Sequence, residues 1–234
     1  MVFLFCCTCD SFCAFYGRHH AAGTPRTGCR KGGKALTLPC FTEKPTNMRK
    51  NFGAKPWTYP QPVFIVGTYD EEGRPDAMNA AWGGIDYDDQ INLCLSAGHK
   101  TVKNLLATRA FTVSMGTADQ LVACDYVGIV SGNHVDDKFA RAGFHAVRSQ
   151  LVNAPIIEEL PMTIECEVVS YDPDTCHLVG RILNVSADES ILDEDGKIDP
   201  ARLRPITFDP VHNAYLVVGE RVGRAFKDGT QLKK

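Results

Sequence analysis

Two neighbouring stretches, MTIECEVVSYD at residues 162–172 and CHLVGRILNVSAD at residues 176–188, decide the fold of this chain. Both are rich in β-branched and other apolar residues, which are common in strands. The residues between them begin with Pro173 and Asp174, a pair that is typical of a tight turn. The sequence therefore predicts two long antiparallel strands, whose length suits the wall of a β-barrel.

Shorter segments on either side have the same character and are interrupted by helices. The predicted strands are residues 63–69, 77–84, 91–96 and 110–116, with PITFD and NAYLVVG supplying the closing β segments. The predicted helices are residues 101–108, 117–126 with Thr117 as the cap, and 135–143 ended by Gly143. Gly73 and Pro75 indicate a hairpin loop between the first two strands. This order favours a mainly β (α+β) fold, an antiparallel closed or half-closed barrel with short inserted helices, over a parallel α/β sheet.

The first 47 residues differ in composition from the rest of the chain. They carry six Lys or Arg against two Asp or Glu, a net charge of +4, whereas residues 48–234 carry 19 against 26, a net charge of −7. They also hold six of the ten cysteines, with no persistent helical or strand period. Because the cysteine spacing matches no paired CxxC knuckle, we do not expect a metal site there. We expect residues 1–47 to be a disordered extension or to precede the true start at Met48, and residues 48–234 to form one domain.

Composition and motifs argue against several classes of function. An acidic body without a basic stripe is a poor partner for nucleic acid, and no stretch approaches the roughly 20 apolar residues that span a bilayer. The sequence has no Ser/His/Asp arrangement and no HExxH motif, so it gives no support for a hydrolase. His145, His177 and His212 are single histidines in β-rich segments, so we expect structural or surface roles for them. Cys94 and Cys166 lie within apolar runs and predict free thiols, as in a cytoplasmic protein.

The stretch SAGHKTVKN at residues 96–104 links a predicted strand to a predicted helix and can hold a phosphate group. A helix N-terminus offers unpaired backbone N–H groups and a positive dipole, Ser96 and Thr101 add hydroxyl groups, and Lys100 adds a positive charge. The stretch is not a Walker loop, which requires GxxxxGK[ST]. An ordinary helix cap with a solvated lysine explains these residues equally well.

The stretch MNAAWGG at residues 78–84 places small residues where a strand usually has bulky ones. Small residues allow a flat ligand to approach, and exposed peptide groups can hydrogen-bond its polar edge. Trp82 is explained as well by core packing.

Several strings together resemble a known family. MNAAWGG, LSAGHKT, NLLATRAFTVS, ACDYVGIVSG, VDDKFARAGF and PITFDPVHNAY are similar to the flavin reductase-like, FMN-binding split-barrel family, and in particular to its flavoredoxin branch. The resemblance covers roughly residues 48–228 in order. It implies an FMN-binding split β-barrel of antiparallel Greek-key type, and a homodimer with FMN near the subunit interface.

The resemblance also implies which residues bind the cofactor. Those expected to face the flavin ring are Asn79, Ala80, Ala81 and Trp82, and those expected around the phosphate and ribityl chain are Ser96, His99, Lys100, Thr101 and Asn104. Many relatives have an arginine near the position of His99, so the anion site here depends on Lys100. A second matched string contains Asp125, Tyr126, Ser131 and Gly132, which could border the flavin on its substrate side; capping and turn formation explain these residues at least as well.

Three functions follow as alternatives. The first is an NAD(P)H:flavin oxidoreductase, in which NADH or NADPH docks transiently because no GxGxxG motif follows a strand. No catalytic acid or base is required for it, because the cofactor carries the chemistry. The second is a flavoredoxin-type carrier that exchanges electrons between FMN and redox protein partners. The third, a non-enzymatic module, predicts a protein without affinity for FMN.

Overall fold

The computed structural model describes residues 49–233. The described residues fall into two units, 49–56 and the part from Trp57 onward. Residues 49–56 contain no helix or strand. The predicted extension and its cysteine cluster lie outside the described residues.

The unit from Trp57 onward is built mainly from β-strands. Its strands are β1 Phe64–Tyr69, β2 Pro75–Ala80, β3 Gly83–Tyr87, β4 Gln90–Cys94, β5 Ala110–Met115, β6 Ala146–Arg148, β7 Pro155–Ile157, β8 Met162–Asp172, β9 His177–Ala187, β10 Ile206–Asp209 and β11 Ala214–Val217. Its α-helices are α1 Lys100–Thr108, α2 Leu121–Ile129, α3 Lys138–Arg141 and α4 Pro200–Leu203, with 3₁₀ turns at Glu189–Ile191 and Asp228–Leu232. None of these helices is long and apolar enough to cross a membrane.

Seven strands form one antiparallel sheet in the order β2-β1-β5-β8-β9-β4-β3. Because strands lie about 4.8 Å apart, the two edge strands of a flat sheet of this order would be roughly 29 Å apart. Yet the edge strands β2 and β3 are joined through Ala81 and Trp82 alone, a link that spans at most about 11 Å. The sheet must therefore curl until the end of β2 lies close to the start of β3, and since these two strands do not pair it forms the half-closed barrel. Within it β5, β8 and β9 are neighbours and β4 lies beside β9, which is Greek-key order.

The long hairpin of β8 and β9 forms as the sequence predicts. Its turn is held by the Asp172 carboxylate, which accepts bonds from the amide of Asp174 (2.9 Å) and the hydroxyl of Thr175 (2.7 Å). Gly180 in β9 leaves room for the ring of Phe111 from β5, which a β-carbon at this position would overlap. The hairpin thus closes over an apolar interior.

Four predicted elements differ from the structure, and one of them is the helix predicted at residues 135–143, of which only the single turn Lys138–Arg141 is helical. Residues 77–84 are not one strand, because pairing with β1 stops at Ala80 and pairing with β4 begins at Gly83. The closing segments β10 and β11 pair only with each other as strands and do not enter the seven-stranded sheet. The helix predicted from residue 117 begins at Leu121, although Thr117 Oγ1 accepts a bond from the amide of Gln120 (3.3 Å).

Two apolar clusters pack against the two faces of β2. The barrel interior contains Met78 and Ala80 of β2 with Phe111. On the opposite face of β2, Ala77 belongs to a second apolar cluster that also contains Val127 of α2. The residues at the end of β2 are therefore fixed from both sides. Cys124 and Cys166 are free thiols, and burial raises the pKa of Cys166 to about 12.

Candidate functional site

A cleft of about 170 Å³ lies where the end of β2, the start of α1 and the end of α2 meet. It brings together eight of the nine predicted cofactor-binding residues: Asn79, Ala80, Ala81, Trp82, Ser96, His99, Lys100 and Thr101. The small-residue stretch and the strand-to-helix stretch therefore form two walls of one cleft.

The N-terminus of α1 forms one end of this cleft. The first amides of an α-helix lack partners within the helix, and the preceding residue, His99, makes no side-chain capping bond. Lys100 is the first residue of α1, and its Nζ lies 3.5 Å from Oδ2 of Asp70. Burial alone would raise the pKa of Asp70, but bonds from Arg74 and the charges of Arg74 and Lys100 outweigh it and hold this pKa below its ordinary value. The cation predicted for the anion site thus has a carboxylate beside it.

A buried group of three polar side chains forms the wall next to α1. Nζ of Lys138 lies 3.0 Å from Oδ1 of Asp76, and each side chain is 3% exposed. The hydroxyl of Thr101 donates to Oδ2 of Asp76 (3.0 Å). All three residues line the cleft. Asp76 and Lys138 were not among the sequence candidates. The string VDDKFARAGF contains Lys138, but nothing local in it indicates that this lysine meets β2.

His99 is held in its neutral form by its surroundings. Burial lowers the pKa of His99, the positive charge of Lys138 lowers it further, and the Asp76 carboxylate offsets only part of this effect. The imidazole can therefore both donate and accept a hydrogen bond at neutral pH.

The wall at the end of β2 has one buried acceptor without a partner. Nδ2 of Asn79 donates to the carbonyl of Cys124 (3.1 Å), whereas its Oδ1 is buried and accepts no bond from the described residues. The carbonyl of Ala81 accepts from Gln61 (2.6 Å) and that of Trp82 from the amide of Cys94 (2.9 Å). The carbonyl groups of Ala81 and Trp82 are therefore already bound within the protein.

Other predicted residues lie elsewhere or make structural contacts. Asn104 lies on the buried face of α1, where its Nδ2 donates to Oγ1 of Thr68 (3.1 Å), and it does not line the cleft. Ser131 and Gly132 do line it, whereas Asp125 accepts a bond from Tyr215 outside it (2.7 Å) and Tyr126 packs in the apolar cluster between β2 and α2.

The single histidines have the roles that the sequence predicts. His145 pairs with Glu159 (2.5 Å) and His212 with Asp209 (2.7 Å), both at the surface. His177 is exposed at the start of β9.

Comparison with solved structures relates this architecture to known proteins. The flavoredoxin of Desulfovibrio vulgaris (Miyazaki F) is 38% identical and superposes with a TM-score of 0.74, covering 78% of this chain and 100% of its own. The flavoredoxin of Methanosarcina acetivorans is 26% identical with a TM-score of 0.69, covering 80% of this chain and 98% of its own. An FMN-binding domain of a flavin reductase-like enzyme from Shewanella baltica is 18% identical with a TM-score of 0.62, covering 70% and 89%, and shows the shared fold.

The match at the level of sequence families agrees with the fold. The family model described as "Flavin reductase like domain" matches residues 57–207, which is more than half of the chain. This range contains all seven strands of the curled sheet and every residue of the cleft. The chain therefore belongs to the flavin reductase-like domain family and has its split-barrel fold.

Proposed function

We propose that the chain binds FMN in this cleft and works as a flavoredoxin-type electron-transfer protein. The observation that carries the proposal is the meeting, in one cleft, of the small-residue end of β2 and the uncapped N-terminus of α1 with its lysine. A flat ring with an anionic tail is the kind of ligand that matches both walls. When bound, FMN would supply the electron transfer.

The residues present fit this cofactor. Ala80 and Ala81 leave space along one wall. The unpartnered Oδ1 of Asn79 matches a hydrogen-bond donor on the ring or ribityl chain. The amides at the start of α1 and Lys100 match the phosphate group. Each part of the ligand thus has a complementary group in the cleft.

The 38% sequence identity to the D. vulgaris flavoredoxin, in a match that covers that protein's full length, supports the function of an electron carrier. The second candidate is the NAD(P)H-dependent flavin reductase, which the family description favours. The shape of the cleft is also compatible with it. Trp82 and Ile129 line the cleft and are 36% and 57% exposed, so an apolar opening is left beside the ring wall through which a nicotinamide can approach.

We also propose that the protein is a homodimer. Pockets for ligands of this size usually enclose about 300–1,000 Å³, whereas the cleft of one chain encloses about 170 Å³. A second subunit that covers the opening would supply the missing enclosure. Sedimentation showing a monomer with full FMN occupancy would contradict this proposal.

Titration of the purified full chain with FMN, followed by visible spectroscopy, tests the proposed function. We expect a flavin spectrum and saturable binding. Bleaching only after a reduced redox protein such as a ferredoxin is added supports the carrier, and rapid bleaching by NADH or NADPH alone supports the reductase. A protein that binds no FMN refutes both.

A further inference from the structure

The segment of residues 219–233, here called the arm, follows β11 and leaves its apolar side chains in solvent. Just before it, the amide of Val218 donates to the carbonyl of Pro205 (3.0 Å). Within the arm, the hydrogen bonds among the described residues join arm residues to each other. Val222 and Phe226 are 101% and 103% exposed, so their own chain buries neither side chain. Large apolar side chains grouped in solvent indicate an interaction surface.

The arm is also opposite in charge to the rest of the domain. Residues 219–234 carry five Lys or Arg against two Asp or Glu, a net charge of +3, whereas residues 48–218 carry 14 against 24, a net charge of −10. Complementary charges on two surfaces speed their encounter and fix how they meet. The arm is therefore suited to a surface that is acidic and partly apolar.

The tip of the hairpin of β3 and β4, residues 85–89, is a surface of this kind. Every residue of the tip is exposed, and Ile85 and Tyr87 are 63% and 68% exposed. The other three residues are aspartates, and none of their carboxylates forms an ion pair with a described residue. β3 is also an edge strand of the seven-stranded sheet, and such a strand has backbone groups free to pair with another chain. Since arm and tip are both exposed in one chain, the arm does not cover the tip of its own chain.

We propose that two copies of the chain exchange arms, so that the arm of each subunit packs across the tip of the other. This inference rests on the proposed function, of which the homodimer is a part. The apolar side chains of the arm cover Ile85 and Tyr87, and its basic residues face the aspartates of the tip. A two-fold dimer makes this contact twice, because each subunit has one arm and one tip. Since β3 begins at Gly83, directly after Trp82 of the cleft, an arm on this strand also borders the open side of the cleft.

Charge reversal on each surface tests the exchange. The dimer dissociation constant of the full chain is measured by sedimentation equilibrium for the wild type, for the arm variant Arg221→Glu/Lys227→Glu and for the tip variant Asp86→Lys/Asp88→Lys. An equal mixture of the two variants is measured in the same way. All four residues are exposed, so the substitutions leave the core intact, and thermal unfolding of each variant verifies this.

A second pair of variants tests the apolar part of the contact. Val222→Ser removes an apolar side chain from the arm. Val122→Ser is the matched control, because Val122 is also largely exposed (82%) but lies on α2, outside both the arm and the tip.

We expect each charge-reversed variant alone to raise the dimer dissociation constant by about tenfold or more, because like charges then face each other. In the mixture, the arm of each variant meets a tip of opposite charge on the other, so the constant should return to within about threefold of the wild type. Val222→Ser should weaken the dimer by about tenfold, the loss expected for one buried valine, and Val122→Ser should leave it unchanged.

A mixture that dissociates as readily as the separate variants overturns the exchange of arms, and so does a Val222→Ser dimer as stable as that of Val122→Ser. A monomeric wild type overturns the exchange together with the homodimer. A wild-type dimer that binds no FMN in a titration overturns the proposed electron-transfer function and leaves the arm contact in place, so the two failures are distinguishable.

Discussion

Gly132 is the residue at which a single methyl group should most directly disturb the anion end of the cleft. A β-carbon there would lie 2.8 Å from Oδ1 and 3.2 Å from Cγ of Asp76, and 3.1 Å from Cδ of Lys100. The lysine side chain can move away. Asp76 cannot, because Lys138 and Thr101 hold its two oxygens. Gly132→Ala must therefore displace either the buried ion pair or the loop after α2.

Overpacking of this kind costs about 1–3 kcal/mol. For a domain of this size, each kcal/mol lowers Tm by about 2–4 °C, so we expect Gly132→Ala to lower Tm by about 2–12 °C. Gly98→Ala is the matched control, because a β-carbon at Gly98 meets no atom within 4 Å. Its effect should stay within about 0.5 kcal/mol.

The assay is denaturant and thermal unfolding of the flavin-free protein, so that ligand binding does not contribute to the measured stability. Both variants replace a glycine by alanine, so they change the unfolded chain in the same way. They differ in the space that the added methyl group has in the folded protein. If Gly132→Ala is as stable as Gly98→Ala, the close contact with Asp76 is not a feature of the folded protein, and the rigid ion-pair wall derived from it is wrong.

Three further predictions concern the core and the cleft. Gly180→Ala should lower the free energy of unfolding by about 1–3 kcal/mol because its methyl group overlaps the ring of Phe111; an unchanged denaturation midpoint would contradict the packing of the hairpin. Lys100→Ala should weaken FMN binding by about 1.5–3 kcal/mol, the range for a charge-assisted hydrogen bond; equal affinity in a titration would remove this lysine from the anion site. Burial and Lys138 lower the pKa of His99, and a phosphate group beside the imidazole would raise it, so His99 should titrate at a higher pH with FMN bound than without it. NMR titration of the His99 ring in the two states measures this difference separately from the titration of the phosphate itself, and an unchanged His99 pKa would place the phosphate away from His99.

Local sequence features were enough to predict most elements of the fold. Strand-forming residues and the Pro173–Asp174 turn predict the hairpin of β8 and β9, whose observed bounds match closely. The small residues after Met78 and the helix start predicted at Thr101, which the structure places at Lys100, identify two stretches that the structure brings into one cleft. These signals are readable because backbone preference, turn chemistry and capping depend on residues close together in the chain.

Strand pairing and side-chain contacts between residues far apart in the sequence could be found only from the tertiary structure. Only curling of the sheet shows that residues 77–84 belong to two edge strands, since pairing partners are set by β1 and β4. The contact of Lys138 with Asp76, the unpartnered acceptor of Asn79 and the exclusion of Asn104 from the cleft have the same origin. Each results from packing between elements far apart in sequence, where burial and partner geometry assign a role that the residue type and its neighbours do not encode.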